Sequence, residues 1–353
     1  MEKVLVRLEN VSKKFDKDYV IKDFSLDIYE GEFLTLLGPS GCGKTTVLRM
    51  ISGLDSVTKG KVYIDDVDVT NVDATKREVN TIFQNLALFP KMTVTENISF
   101  GLRMKKMPQE EINKKVREVI KLVKLNGLED RYPAELSGGQ QQRVAIARGI
   151  VMNPKVLLLD ESLCSLDLKL KKKMQVELKK IQKKLGITFI YVTHAQDEAL
   201  SMSDRIVIIN KGRIEQMGTP EDIYRHPKTV FVADFIGEAN ILDAKVIKTG
   251  PETVLSITDG YNIVLNENLD VKKNDLIKIV VRPENVLVFR REKKDGLKGV
   301  VNTITYSGDS TKLTVNITEE LSINAQIIDE DKYKEEDVVY LDFDENYIVP
   351  IRS

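Results

Sequence analysis

The sequence predicts an α/β domain built around a phosphate-binding loop, followed by a small all-β barrel. Three observations carry this reading. An apolar strand, Phe33-Leu34-Thr35-Leu36-Leu37, runs straight into Gly38-Pro39-Ser40-Gly41-Cys42-Gly43-Lys44-Thr45, which fits the pattern G-x-x-x-x-G-K-[ST] and leads into a helical run. Up to about residue 240, apolar strands alternate with amphipathic helices, as in a largely parallel sheet covered on both faces. Beyond that point a series of short strand-like runs replaces this texture.

The elements follow in order. Val4–Leu8 and Ser25–Ile28 alternate as half-buried strands do. Thr45-Thr46-Val47-Leu48-Arg49-Met50-Ile51 reads as the helix after the loop. From Glu110 to Lys124, Ile112, Val116, Val119, Ile120 and Val123 recur at spacings of 3 and 4, which marks an amphipathic helix. Val156–Leu159 is a short apolar strand, and Leu170, Met174, Leu178, Ile181 and Leu185 define the helix after it. The many lysines of that helix read as a solvated face. Thr188–Val192 and Arg205–Ile209 are further strands.

The texture changes near Ile236-Gly237-Glu238-Ala239-Asn240, which divides the chain into domains 1–240 and 241–353. The barrel strands are expected at Ile241–Ile247, Thr253–Ile257, Asn262–Leu265, Leu276–Val281, Val286–Phe289, Gly299–Tyr306, Lys312–Ile317, Ile323–Ile328 and Val338–Phe343. Turns are expected at Asp259-Gly260, Pro283-Glu284 and Ser307-Gly308-Asp309.

Composition sets further bounds. The chain has 353 residues, enough for two domains that each bury a core. Its 54 acids nearly balance its 53 Lys and Arg, which gives no global electrostatic case for binding nucleic acid or a membrane surface. No apolar run approaches the ~20 residues that span a bilayer. The start, Met1 to Arg7, lacks an apolar core and a cleavage site, so no secretory signal is expected. The two cysteines, Cys42 and Cys164, have no framework spacing and suggest a reducing cytosol. Any membrane role must come through a partner.

The chemistry gathers in a few places. Gly38, Gly41 and Gly43 let the backbone curl with its N–H groups inward, where they and the following helix N-terminus bind phosphate oxygens. Lys44 reaches the β and γ phosphates as a point charge, and Thr45 offers a hydroxyl to Mg²⁺. Pro39, Ser40, Cys42 and Thr46 complete the cradle. Asp160 and Glu161 end the strand Val156–Leu159, at the edge where ligands sit in open α/β sheets. Asp160 suits the Mg²⁺ shell, and Glu161 can polarise an attacking water. Leu136-Ser137-Gly138-Gly139-Gln140 supplies a second Gly-rich surface, with Ser137 a good N-cap for a helix whose N-terminus favours an anion.

These motifs, in this order, resemble the nucleotide-binding subunit of ATP-binding-cassette (ABC) transporters. The resemblance covers the whole chain and implies further roles. Phe15 matches the adenine-stacking aromatic, where stacking is worth roughly 1–3 kcal/mol; a core position is the competing reading. Gln84 matches the Q-loop residue, which serves the metal and the water. His194, after the strand ending Tyr191-Val192-Thr193, matches the γ-phosphate sensor, and Asp167 matches the D-loop aspartate. Ser137, Gly138, Gly139 and Gln140 match the signature, which in this family binds the γ-phosphate of ATP held by a second copy. A head-to-tail homodimer with two sandwiched ATP molecules is therefore implied.

The resemblance also implies two membrane-spanning permease subunits docked on a helical segment of roughly 86–150. It further implies an external solute-binding protein, a place on the cytoplasmic face of the cell membrane, and no nucleic-acid partner. Residues 241–353, including Val281-Arg282-Pro283-Glu284, look like the oligosaccharide-binding-like TOBE barrel of importer ATPases. Gln175–Gln182 with Leu185–Phe189 most resembles the spermidine/putrescine import subunit; ferric-ion, sulfate and sugar importers share the plan. A non-transport ABC ATPase is the rival from another class, and the single cassette without a long coiled-coil insertion counts against it.

The chain also departs from the family. Its usual run Glu-Pro-Leu-Ser-Ala-Leu-Asp is here Glu161-Ser162-Leu163-Cys164-Ser165-Leu166-Asp167, and Ala195 stands where the family has Asp. The groups expected to touch ATP, Mg²⁺ and water remain, so an active ATPase is expected.

Overall fold

A computed structural model describes residues 3–163, 167–258, 261–294, 296–328 and 333–351. The chain forms two compact units, Met1–Pro220 and Glu221–Ser353. The expected turn at Asp259-Gly260 lies outside the described residues, as do Cys164, Ser165 and Leu166.

The first unit opens with β1 (Val4–Phe15), β2 (Asp18–Tyr29), β3 (Phe33–Leu37), α1 (Lys44–Ser52), β4 (Lys59–Ile64), β5 (Val67–Asp68) and β6 (Val79–Ile82). Three helices follow: α2 (Val94–Met104), α3 (Gln109–Leu122) and α4 (Gly138–Ile150). It closes with β7 (Val156–Asp160), α5 (Leu168–Leu185), β8 (Thr188–Thr193), α6 (Gln196–Met202), β9 (Arg205–Asn210) and β10 (Arg213–Gly218).

The central sheet has the order β10-β9-β3-β8-β7-β6. Only β10 runs antiparallel. A second, antiparallel sheet has the order β2-β1-β4-β5.

The alternation of side chains along the central strands decides which layer each residue joins. Leu157 and Leu159 of β7 pack with Phe189 and Tyr191 of β8 and with Val144, Met174 and Leu178 from α4 and α5. Val156, Leu158, Ile190 and Val192 face the other way, onto α1 and the antiparallel sheet. With both faces covered, every residue of β3 and β8 is buried, which is why these strands read as continuous apolar runs. α3 buries Ile112, Val116 and Ile120, the face expected from its periodicity. Leu185, the last apolar position expected on α5, is exposed at the end of its helix.

The second unit starts with two short helices, α7 (Pro220–Arg225) and α8 (Val230–Phe235). Its strands are β11 (Asn240–Lys248), β12 (Thr253–Thr258), β13 (Tyr261–Leu265), β14 (Leu276–Val281), β15 (Val286–Phe289), β16 (Leu297–Tyr306), β17 (Thr311–Asn316), β18 (Ser322–Ile327), β19 (Val338–Phe343) and β20 (Val349–Ile351). They form two five-stranded sheets, β13-β12-β11-β14-β20 and β15-β19-β16-β17-β18. Side chains from both sheets share one apolar core, the interior of a small, nearly closed all-β barrel. β20 had no counterpart among the expected strands. It is three residues long, contains Pro350, and forms by pairing at the edge of β14.

The structural division falls at 220, whereas the texture of the sequence changes near 240. The cause is Arg282, which follows β14. Its buried guanidinium donates to the carbonyl oxygens of Ala233 and Glu238 at 3.0 Å and of Tyr224 at 3.1 Å. It also stacks over the Tyr224 ring, 4.4 Å from the centroid. Residues 221–238 are thereby fastened to the barrel. Arg282→Met is expected to destabilise the full chain by about 3 kcal/mol, because buried carbonyls lose a charged donor. A urea midpoint equal to that of the parent chain is the outcome that contradicts this account.

Candidate active site

The phosphate loop needs its glycines. Gly41 and Gly43 adopt φ of +77° and +107°. A Cβ on Gly43 would lie 2.4 Å from Ile21 Cδ1, and one on Gly38 would lie 2.2 Å from the Ile209 carbonyl oxygen. Lys44 opens α1 and is buried, with its Nζ donating to the carbonyls of Gly38 at 2.7 Å and Pro39 at 2.8 Å. Those bonds hold the ammonium inside the curl of the loop. Burial pushes the Cys42 thiol above its ordinary pKa, so it packs as a neutral group. Ser40, Gly41 and Thr45 are exposed along the mouth of the loop, and Thr46 is half-buried.

The carboxylates come to the same mouth. Thr45 Oγ1 donates to Asp160 Oδ1 at 3.2 Å. Burial raises the Asp160 pKa, opposed by the Thr45 hydrogen bond and reinforced by the neighbouring charge of Glu161. Glu161 turns the chain with φ of +43°, and its N–H donates to the Val192 carbonyl at 3.0 Å. Its side chain then meets two others. Gln84 Nε2 donates to Glu161 Oε2 at 3.4 Å, and His194 Nδ1 lies 3.1 Å from Glu161 Oε1. The three candidate catalytic groups thus form one cluster, although 77 residues separate Gln84 from Glu161 and 33 separate Glu161 from His194.

The remaining candidates occupy other places. Phe15, at the end of β1, is 46% exposed, with the Lys13 ammonium 4.8 Å from its ring centroid. That exposure removes the core-aromatic reading and leaves a ring face open for stacking. Ser137 caps α4 in a reciprocal box: its N–H donates to Gln140 Oε1 at 2.8 Å, and the Gln140 N–H donates to Ser137 Oγ at 3.4 Å. Gly138 is exposed, and Gly139 is pressed against Leu170, where a Cβ would come within 2.9 Å. Asp167 caps α5 by accepting from the Leu170 N–H at 3.0 Å. Among the described residues, no hydrogen bond or ion pair joins Ser137 or Asp167 to the phosphate loop.

Two groups escaped the sequence. Tyr19 is a second exposed aromatic, paired across the hairpin with Lys14. Arg148 of α4 donates to the carbonyls of Leu86 at 2.8 Å and Ala87 at 2.7 Å, fastening the loop after Gln84. Neither carries a sequence signal beyond its residue type. Of the departures, Ser162 is buried, and its hydroxyl oxygen has no partner among the described residues. Ala195 opens α6 without a side-chain cap.

A family model described as "ABC transporter" matches residues 21–164, and one described as "TOBE domain" matches residues 279–349. The spermidine/putrescine import ATP-binding protein PotA of Aggregatibacter actinomycetemcomitans is 50% identical over 317 residues, covering 89% of this chain and 85% of that protein. Its namesake from Aliivibrio fischeri is 48% identical over 339 residues, covering 95% and 90%. The chain belongs to the ABC transporter family.

Solved ABC structures agree. CbiO1 from Clostridium perfringens, part of the ABC transporter complex cbiONQ, superposes with a TM-score of 0.59 at 30% identity, over 63% of this chain and 91% of that one. The ATP-binding cassette MJ0796, solved as a dimer bound to ADP and Pi, gives 0.55 at 36% identity, over 61% and 99%. The fold of residues 1–220 is accordingly that of an ABC cassette.

Two outcomes follow from the site. Ser162→Ala removes an orphaned buried hydroxyl and is expected to stabilise the chain by about 1 kcal/mol in thermal or urea unfolding; a loss of stability contradicts the orphan assignment. Asp160→Asn removes a charge that burial disfavours. Folding raises the Asp160 pKa, so the parent loses stability as pH rises through the window above 3.8. Without divalent cations, the variant's advantage in melting temperature is expected to be absent at low pH and present at neutral pH; an equal difference at both contradicts it.

Proposed function

We propose that the chain is the ATP-hydrolysing subunit of a polyamine importer. The observation that carries hydrolysis is the convergence of Gln84 and His194 on Glu161, beside Thr45 and Asp160. The names of the relatives, spermidine/putrescine import ATP-binding proteins, support the cargo. No residue of this chain is assigned to touch it.

The chain's residues divide the work. Phe15 stacks the adenine. The N–H groups of the loop 38–46 and the Lys44 ammonium hold the phosphates. Thr45 Oγ1 and Asp160 Oδ1, 3.2 Å apart, form a hard-oxygen pair that would hold Mg²⁺. An ion held by these two oxygens would supply neutralisation of charge on the β and γ phosphates. Glu161 accepts a proton from, or orients, the attacking water. Gln84 and His194 fix that carboxylate and reach toward the γ-phosphate. Ser137–Gln140 and Asp167 serve the ATP of a second copy in a homodimer.

Among the described residues, no helix is long and apolar enough to cross a membrane. The relatives' name, import ATP-binding protein, supports membrane partners: in this reading two permease subunits and an external solute-binding protein complete the transporter, with this chain held at the cytoplasmic face. Residues 1–220 form the cassette, and residues 221–353 form an accessory domain that contains the TOBE match at 279–349.

Glu161→Gln is expected to lower ATP turnover by about a hundredfold or more with Mg²⁺ present, while an ATP-bound dimer accumulates in size-exclusion chromatography. Turnover within a few-fold of the parent removes Glu161 from this role. Spermidine uptake by cells carrying the transporter should fall in parallel; uptake that survives the loss of turnover removes the cargo assignment.

A further inference from the structure

One carboxylate of the first unit is buried more deeply than Asp160 or Glu161. Glu198, in the first turn of α6, has no exposed surface. It accepts hydrogen bonds from the hydroxyls of Tyr191 and Thr193, both on β8, the second at 2.5 Å. It pairs with the Lys171 ammonium of α5 at 2.7 Å.

The Thr193 hydroxyl has a second bond, accepted from the Ala195 N–H at 3.0 Å. The residues on either side of His194 are therefore tied, through one hydroxyl, to one buried carboxylate. The His194 side chain is itself 53% exposed and reaches Glu161 at 3.1 Å. Its backbone, rather than its own packing, must hold it there. Residue 195 offers no polar side chain to fix the start of α6. Lys171 lies one turn inside α5, whose N-cap is Asp167. Apolar side chains in place of Glu198 and its partners together would stabilise this interior about as well as the desolvated ion pair does.

We propose that Glu198, together with Lys171, is the positioning residue of the hydrolysis site. It sets the backbone at 193–195 so that the His194 imidazole meets Glu161, and it ties that backbone to the helix capped by Asp167. The catalytic consequence rests on the role proposed for Glu161 and His194; the positional claim does not.

The chain has only two histidines, His194 and His226. Histidine-selective NMR of the full-length chain therefore reads His194 with His226 as an internal control. Glu198→Gln, Lys171→Met and their double variant are compared with the parent, alongside steady-state ATP hydrolysis. Each single variant is expected to move the His194 imidazole resonances, leave those of His226 in place, and lower kcat by roughly ten- to a hundredfold with KM for ATP held within about twofold. The double variant is expected to be no worse than the worse single one, because the pair acts as a unit. Lys171→Arg, which keeps the cation, should recover most of kcat.

Folded variants with unmoved His194 resonances overturn the positional claim, whatever happens to turnover. Moved resonances with unchanged kcat overturn the catalytic consequence. If the parent does not hydrolyse ATP, the functional reading fails separately, and the His194 resonances still decide the positional claim. Should Glu198→Gln not fold, Lys171→Met and Lys171→Arg carry the same comparison.

Discussion

The site depends on the parallel register of three buried strands. β3 pairs with β8 so that Leu37 lies opposite Thr193, and β7 pairs with β8 so that Asp160 lies opposite Val192. In a parallel sheet all C-terminal ends leave at one edge. The phosphate loop leaves β3 there, the carboxylates leave β7 there, and His194 leaves β8 there. The register is fixed by burial on both faces: a one-residue slip of β7 would send Leu157 and Leu159 into the layer now filled by Val156 and Leu158. Packing that carries no chemistry thus places the phosphate loop, the carboxylates and His194 at one edge.

The parts of the site legible in the sequence were those whose local backbone dictates residue type. Gly41 and Gly43 sit at positive φ, Lys44 opens a helix, and Asp160 ends a run whose burial demands apolar residues before it. Long-range partners were not legible. Lys171 belongs to a helix whose lysines read as a solvated face, and its neighbours Lys172 and Lys173 do point outward, yet Lys171 turns in to Glu198. Helix phase relative to the rest of the fold, not composition, separates them. Arg282 is a similar case. It sits within a recognisable run, Val281–Glu284, but only tertiary contact shows that it draws 221–238 onto the barrel.

The departures from the family pattern have unequal physical weight. Ser162 places an unpartnered hydroxyl in a buried position directly after Glu161, at a cost of about 1–3 kcal/mol. Nothing in the structure explains the hydroxyl there. Ala195 costs less, because its N–H still finds the Thr193 hydroxyl at 3.0 Å. What changes at 195 is the source of order: the start of α6 relies on the buried carboxylate three residues later rather than on a cap of its own.

Glu161 is held from two directions, and one of them leads to the signature helix. Gln84 reaches the carboxylate from the loop after β6. Two residues of that loop, Leu86 and Ala87, adopt φ of +57° and +44°, a conformation that costs non-glycine residues of order 1 kcal/mol or more each. Arg148 of α4 offsets that strain by bonding both carbonyls, with its guanidinium 5.3 Å from the Phe89 ring centroid. A continuous set of contacts therefore runs from Glu161 through Gln84 and a strained loop to Arg148, on the helix that Ser137 caps. The Leu86 N–H also donates to the Phe83 carbonyl at 2.9 Å and the Ala87 N–H to the Asn85 carbonyl at 2.6 Å, so the loop is pinned both by its own backbone and by α4.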